Sequence, residues 1–285
     1  MERLTTADGR VLTYRRVGSG PTVVCHPGGP GFSSRYLADL AGLGDELELI
    51  LLDPRGTGES DPARDPRGYL IEDYAEDLEE LRLHLGLERL TLLGHSHGGV
   101  VAMEYAAARP ERVERLILAS TLPRHGAEQE AAMQAAIEQR AAEPWYQDAR
   151  EALETEAGAE FSDGKELMEL CCRMMPLYYA RYGEREQAHT ASLDGDSMCV
   201  DAVRQWESEL WEHFDQRPKL ARITAPTLVV TGAEDFIAGP AAQEFDALPS
   251  ARRVTIDGCG HMIFVEAPDQ FREAVLSFLG MGAVA

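Results

Sequence analysis

Residues 90–108 read LTLLGHSHGGVVAMEYAAA: four apolar or β-branched residues, a serine bracketed by glycines, then an almost wholly apolar helix-forming run. A chain that passes from strand to helix within five residues must turn sharply. Only small residues two before and two after the turn's tip avoid collision, which is the work expected of Gly94 and Gly98. Gly99 then lets the following helix approach the sheet closely. The residue at the tip, Ser96, takes a strained backbone conformation of the kind tolerated at functional sites. Strand, G-x-S-x-G, helix is the context of a nucleophile elbow. The competing readings are weaker. A metal-binding H-x-H would need an Asp and a His within the next few residues, and HSHGGVV supplies neither. No H-E-x-x-H or C-x-x-C occurs elsewhere, so no metal site is expected. A dinucleotide-binding G-x-G-x-x-G would require glycine where Ser96 stands. A glycine-rich turn with an idle serine remains the plain alternative.

The rest of the chain supplies a setting for such an elbow. Short apolar runs recur at 22–25 (TVVC), 47–53 (LELILLD), 90–93 (LTLL) and 115–120 (RLILAS). Between them, YAEDLEELRLHL places Tyr74, Leu78, Leu81 and Leu85 on one helical face, and GVVAMEYAAARP is closed by Pro110. Strands alternating with helices predict an α/β fold with a mostly parallel sheet covered on both faces. The pattern breaks over 122–218, where Ala, Glu, Gln, Met and aromatic residues dominate. AEQEAAMQAAIEQRAAEPWY and DGKELMELCCRMMPLYYARYG each read there as a helix. Strand signals return at 225–232 (APTLVVTG) and 251–258 (ARRVTIDG), before a last helix in PDQFREAVLSFLG. The expected organisation is a core of residues 1–121 and 219–285, interrupted by a helical insertion at 122–218.

Charge narrows the partners. The 285 residues carry a formal net charge of −22 and two lysines, Lys165 and Lys219. Such a surface would not neutralise a phosphate backbone, so no nucleic acid is expected. The polar start MERLTTADGRVLTYRR has no apolar run of signal-peptide length, and no stretch reaches membrane-spanning length. Five scattered cysteines suit reduced thiols, with the vicinal Cys171-Cys172 read as helix packing residues. Together these predict a cytoplasmic protein that does not contact membranes.

A serine nucleophile needs a base, an orienting acid and donors for an oxyanion. His95 and His97 flank Ser96, but adjacent side chains at a sharp turn diverge, so the base should come from another loop. His261, in TIDGCGHMIFVEAP, follows the last strand on a glycine-spaced loop. His26 lies near the expected site, whereas His84, His125, His189 and His213 lack such a context. The acid belongs on the loop after the preceding strand, LVVTGAEDFIAG, where Asp235 is the better candidate and Glu234 the fallback. The order Ser96, Asp235, His261 suits this arrangement. In VVCHPGGPGFSS the backbone N–H of Gly29, with Gly28 as alternative, can act beside the His97 N–H as an oxyanion hole. Each such donor contributes about 3–4 kcal/mol to the transition state.

With these residues in place, the chain resembles the α/β-hydrolase fold, and within it the prolyl aminopeptidase (proline iminopeptidase) branch and its esterase relatives. HPGGPG is similar to that branch's HGGPG with a proline after the histidine, and LDPRGTGESDP is similar to its D-x-R-G-x-G-x-S segment. The resemblance implies a Ser96–Asp235–His261 triad under a helical cap. The elbow GHSHG departs from the branch's usual G-G-S-W-G towards esterases. The branch binds its substrate's amino group with cap glutamates, one of them in W-x-x-W-E. Here QWESELWEHF has two more residues between Trp206 and Trp211, so Glu207 and Glu212 compete for that role, or merely form a helix face.

The expectation is a cofactor-free serine hydrolase acting by acyl transfer on a small-molecule or short-peptide substrate: an ester, lactone or amide, or alternatively an amino-terminal prolyl amide. Cap residues such as Trp145, Tyr178, Tyr179, Trp206 and Trp211 would shape an apolar pocket. The rivals of another class are a lyase or cofactor-free oxygenase using the same residues as acid and base, and a non-catalytic ligand-binding protein.

Overall fold

The computed structural model describes residues 1–156, 159–211, 213–248 and 251–281. Eight strands form one sheet: β1 (Glu2–Thr5), β2 (Val11–Gly18), β3 (Thr22–His26), β4 (Glu48–Asp53), β5 (Leu90–His95), β6 (Val113–Ala119), β7 (Thr227–Gly232) and β8 (Ala251–Ile256). Their order is β1-β2-β4-β3-β5-β6-β7-β8. The β1–β2 and β2–β4 pairs are antiparallel, and every other pair is parallel. Strands β1 and β2 are not evident from the sequence. They form the edge of the sheet, where one face needs no cover, so ERLT and VLTYRRVG carry polar residues in place of an apolar run.

The interior strands are apolar on both faces because both are covered. Ile50, Leu52, Leu92, Leu118 and Val229 pack into one core with helices α1 (Ile71–His84) and α2 (His97–Ala108). Their alternating neighbours Leu49, Leu51, Leu93, Ile117 and Val230 pack into a second core. It is closed by the carboxyl-terminal helix Pro268–Leu279, which buries Phe271 and Val275. Period-two alternation thus divides each strand between two apolar layers.

Between β6 and β7 lies the helical insertion, built on α3 (Ala127–Glu138), α4 (Tyr146–Glu156), α5 (Gly164–Met174), α6 (Glu184–Ala191) and α7 (Val200–Gln205). The two long helices expected here are shorter than their patterns suggest. Pro144 falls between α3 and α4, and Pro176 directs the chain into a 3₁₀ turn over Met175–Tyr178 after α5. Proline lacks the N–H that an uninterrupted helix requires. The ends of the insertion are tied together: the His125 N–H donates to the Phe214 carbonyl (3.2 Å) and the Gln216 N–H to the Pro123 carbonyl (2.8 Å). No helix of the described residues is long and apolar enough to cross a membrane.

The 53–60 segment is structural. Asp77 on α1, 2% exposed at its side chain, receives Arg10 Nη2 at 2.9 Å and Arg55 Nε at 2.7 Å. Arg55 also donates to the carbonyls of Gly68 (2.7 Å) and Asp73 (2.6 Å), joining the β4 loop to α1. Removing one member of a buried ion cluster strands the charges that remain. Asp77→Ala is therefore expected to lower unfolding free energy by about 3–5 kcal/mol in urea titrations, and a change below about 1 kcal/mol would contradict this account.

Candidate active site

The elbow forms as its glycines require. Ser96 sits at φ 53°, ψ −123°, between β5 and α2. A Cβ at Gly94 would overlap the Gly98 carbonyl, and one at Gly98 would overlap the carbonyls of His26 and Pro27. At Gly99 it would lie 2.6 Å from the Thr121 side chain. The strained residue is held by its own backbone: the Ser96 N–H donates to the Ala119 carbonyl (2.9 Å), and the Ser96 carbonyl accepts from the Gly99 N–H (2.8 Å) and Thr121 Oγ1 (2.7 Å). Strain of this kind costs about 1–3 kcal/mol and persists only where the surroundings over-determine it.

Asp235 follows β7 and His261 follows β8, and their side chains meet: His261 Nδ1 lies 2.9 Å from Asp235 Oδ2. Asp235 is 2% exposed. Its Oδ1 accepts from the N–H groups of Ile237 (2.9 Å) and Ala238 (3.0 Å). Burial alone would raise the Asp235 pKa, but His261 and these two N–H donors outweigh it and hold the carboxyl below its ordinary value. Glu234 does not compete, because its side chain is exposed and its backbone is engaged elsewhere. Oδ2 can only accept, so His261 Nδ1 carries the proton and Nε2 is left as the basic nitrogen. The His261 N–H donates to the Tyr178 carbonyl at 2.7 Å, so the insertion anchors this loop.

Ser96, His97, Gly28, Gly29 and His261 line one cavity of about 880 Å³. Gly28 is so near the elbow that a Cβ there would lie 2.8 Å from Ser96 Cβ. Its N–H already donates to Tyr36 Oη (2.5 Å). The Gly29 N–H, and that of His97 at the first position of α2, donate to no other group among the described residues. Between the two loop glycines, the geometry therefore favours Gly29 over Gly28.

The flanking histidines are buried and neutral. Burial first, then His261, depresses the His95 pKa to about 3; burial and His26 do the same to His97. His26, 1% exposed, does not line the cavity; it faces the Pro27 carbonyl through Nδ1 (2.9 Å) and is depressed to about 4 by burial.

Of the residues expected in the insertion, Tyr178, Trp206, Glu207 and Trp211 line the cavity. Trp206 meets the His97 ring edge-on at 4.6 Å, and Tyr178 meets that of His261 at 5.5 Å. Glu212 lies outside the described residues. Trp145 and Tyr179 do not reach the cavity: Tyr179 is fully buried, with its hydroxyl 2.7 Å from His189 Nδ1. The sequence reading missed Glu156, at the end of α4, which lines the cavity with Glu207. Desolvation raises each carboxyl to about 7, although Glu156 is only half-buried and Glu207 keeps an exposed side, and for Glu156 the charge of Glu207 adds to this. Nothing in DAREALETE distinguishes Glu156 from its exposed neighbours. Cys171 lines the same cavity as a free, buried thiol.

Residues 21–268 match the family described as alpha/beta hydrolase fold, and the chain belongs to that family. A proline iminopeptidase of Lactobacillus helveticus (strain DPC 4571) is 29% identical over 286 residues, covering 90% of each chain. Among solved structures, a hydrolase from Pseudomonas aeruginosa is 27% identical with a TM-score of 0.73, covering 98% of each chain. The enol-lactonase from Burkholderia xenovorans LB400 is 25% identical with a TM-score of 0.74, covering 98% of this chain and all (100%) of that one. The relatives and the fold make this chain a hydrolase of the α/β class.

A buried neutral histidine leaves a signature in stability. The unfolded chain takes up a proton at His97 near pH 6.5, whereas the folded chain does so only near pH 3. Stability from His97 is thus complete above pH 6.5 and is lost as pH falls, by up to about 1.4 kcal/mol per pH unit. His97→Gln lacks this dependence. Its unfolding free energy in urea is expected to converge on, or overtake, that of the wild type between pH 6.5 and 4.5; a constant difference would refute the assignment.

Proposed function

We propose that the chain is a serine hydrolase working by acyl transfer, with its insertion serving as a cap over the site. The observation that carries this reading is the buried Asp235–His261 hydrogen bond, opening onto the same cavity as a strained Ser96. Ser96 Oγ attacks a carbonyl carbon while its proton passes to His261 Nε2. The N–H groups of Gly29 and His97 receive the negative charge that develops on the carbonyl oxygen. As that intermediate collapses, the leaving group departs with the proton from His261, leaving an ester on Ser96. Water then attacks that ester, gives its proton to His261, and the proton returns to Ser96 as the acid is released. Asp235 holds the imidazole in the required tautomer and balances the imidazolium.

The substrate reading is a small ester, lactone or amide with an apolar acyl group. Leu122, Met174, Met198, Trp206 and Phe236 make much of the wall apolar, and similarity to an enol-lactonase supports an ester-type bond. A second reading, an amino-terminal prolyl amide, is favoured by Glu156 and Glu207. Two carboxyls near neutrality in pKa would both ionise beside a bound ammonium, and the iminopeptidase similarity points the same way.

A paired assay separates these readings. Wild-type enzyme is expected to turn over a short-chain aryl ester, and Ser96→Ala to lose about 10⁴-fold or more of that rate. Should a prolyl arylamide also turn over, Glu207→Gln is expected to raise its KM about tenfold or more while leaving the ester KM within about twofold. Equal effects on both substrates would remove Glu207 from amine recognition. Undiminished activity of Ser96→Ala would overturn the acyl-transfer reading.

A further inference from the structure

Beneath the elbow a line of hydrogen bonds joins two loops that the proposed reaction uses separately. The Gly28 N–H donates to Tyr36 Oη at 2.5 Å, Tyr36 Oη lies 2.7 Å from His95 Nδ1, and His95 Nε2 lies 3.1 Å from the His261 carbonyl oxygen. Donor and acceptor roles along this line are fixed by its ends. A carbonyl oxygen only accepts, so Nε2 of His95 carries the proton. In the neutral ring Nδ1 is then an acceptor and takes the Tyr36 hydroxyl proton. The Tyr36 oxygen in turn accepts from Gly28. Three donors meet three acceptors in an interior where Tyr36 is 7% and His95 1% exposed.

Tyr36 is itself braced. Two residues earlier, the N–H and hydroxyl of Ser34 both donate to Asp53 Oδ1, at 2.8 and 2.7 Å. The Tyr36 carbonyl accepts from His189 Nε2 of the insertion at 3.0 Å. The far end is equally constrained, since the His261 N–H and Nδ1 are held by Tyr178 and Asp235. With its carbonyl taken by His95, Nε2 is the one polar atom of His261 left without a protein partner among the described residues.

We infer that Tyr36 and His95 are positioning residues, a relay that sets the oxyanion loop at Gly28-Gly29 and the base loop at His261 in register with each other across Ser96. This rests on the acyl-transfer reading. The relay fixes which loop amide is available: with the Gly28 N–H turned down onto Tyr36, the Gly29 N–H is the one left for the oxyanion. It also gives the residue preceding the nucleophile a role: His95 and Tyr36 border the cavity, but the Tyr36 hydroxyl and both ring nitrogens of His95 are engaged in the relay. A catalytic base and an oxyanion donor carried on separate strands must be held within a fraction of an ångström to act on one carbonyl, and one buried imidazole sets both.

The test is a double-mutant cycle on the intact enzyme with Tyr36→Phe, His95→Asn and the double variant. Rates are expressed per active site titrated with a fluorophosphonate, so that partly folded preparations do not enter. Tyr36→Phe is expected to lower kcat about 10–100-fold with KM for an aryl ester changed less than about threefold. Affinity for an alkyl boronic acid, which binds as the tetrahedral adduct, should fall in proportion to kcat/KM. The double variant should lose no more than the worse single variant, because each breaks the same line. If Tyr36→Phe does not fold, the same kcat and boronic-acid comparison on His95→Asn decides. A kcat per titrated site within about twofold of wild type, or losses that multiply in the double variant, would overturn the relay and leave the acyl-transfer reading intact. A wild-type enzyme that takes no label on Ser96 would instead overturn that reading, and the relay with it.

Discussion

A non-glycine residue at φ 53° can stand at position 96 only because nothing bulkier than hydrogen occupies 94, 98 and 99. The other features of the site depend on that constraint. It lifts a serine out of a strand buried on both faces and starts a helix at His97, which lines the cavity and whose N–H donates to no other group among the described residues. It also turns His95 back into the protein, where its ring reaches two other loops. Strain at one residue is thus balanced by three hydrogen bonds to its backbone groups, one of them from the Thr121 hydroxyl, and Ser96 is placed where the sheet ends.

Around this elbow the protein sets charge by burial and pairing. The Asp235 carboxylate remains ionised in a dry setting because His261 and two backbone N–H groups face it. His95 and His97 are kept neutral by the same dryness. Glu156 and Glu207 of the insertion are pushed the other way, up to about 7. The polar groups of Ser96 and His261 therefore lie against a largely apolar wall, where the fixed dipoles of N–H groups act with little screening from water.

Much of this was legible in the sequence, and the reason differs by residue. The elbow is readable because close packing forbids a Cβ at fixed spacings, and the structure shows those contacts. Asp235 and His261 are readable because loops at the carboxyl ends of parallel strands converge, and short apolar runs followed by glycine locate those ends. Strands β1 and β2 were missed because edge strands need no apolar run. Helix lengths in the insertion were overestimated because periodicity outlasted what Pro144 and Pro176 permit. Glu156 and Tyr36 were invisible for a different reason: each meets its partner, Glu207 or His95, from a distant part of the sequence, and neither lies in a motif. The choice between Gly28 and Gly29 depended on that same hidden tyrosine.

On the proposed mechanism, Ser96 becomes covalently acylated during turnover. The most direct measurement is rapid acid quench of the enzyme mixed with a slowly deacylating aryl ester, followed by peptide mapping by mass spectrometry. An initial burst of phenolate is expected, matched by an acyl group on the peptide carrying Ser96, with both absent in Ser96→Ala. Steady turnover without a burst and with no adduct, or an adduct on another residue, would contradict it.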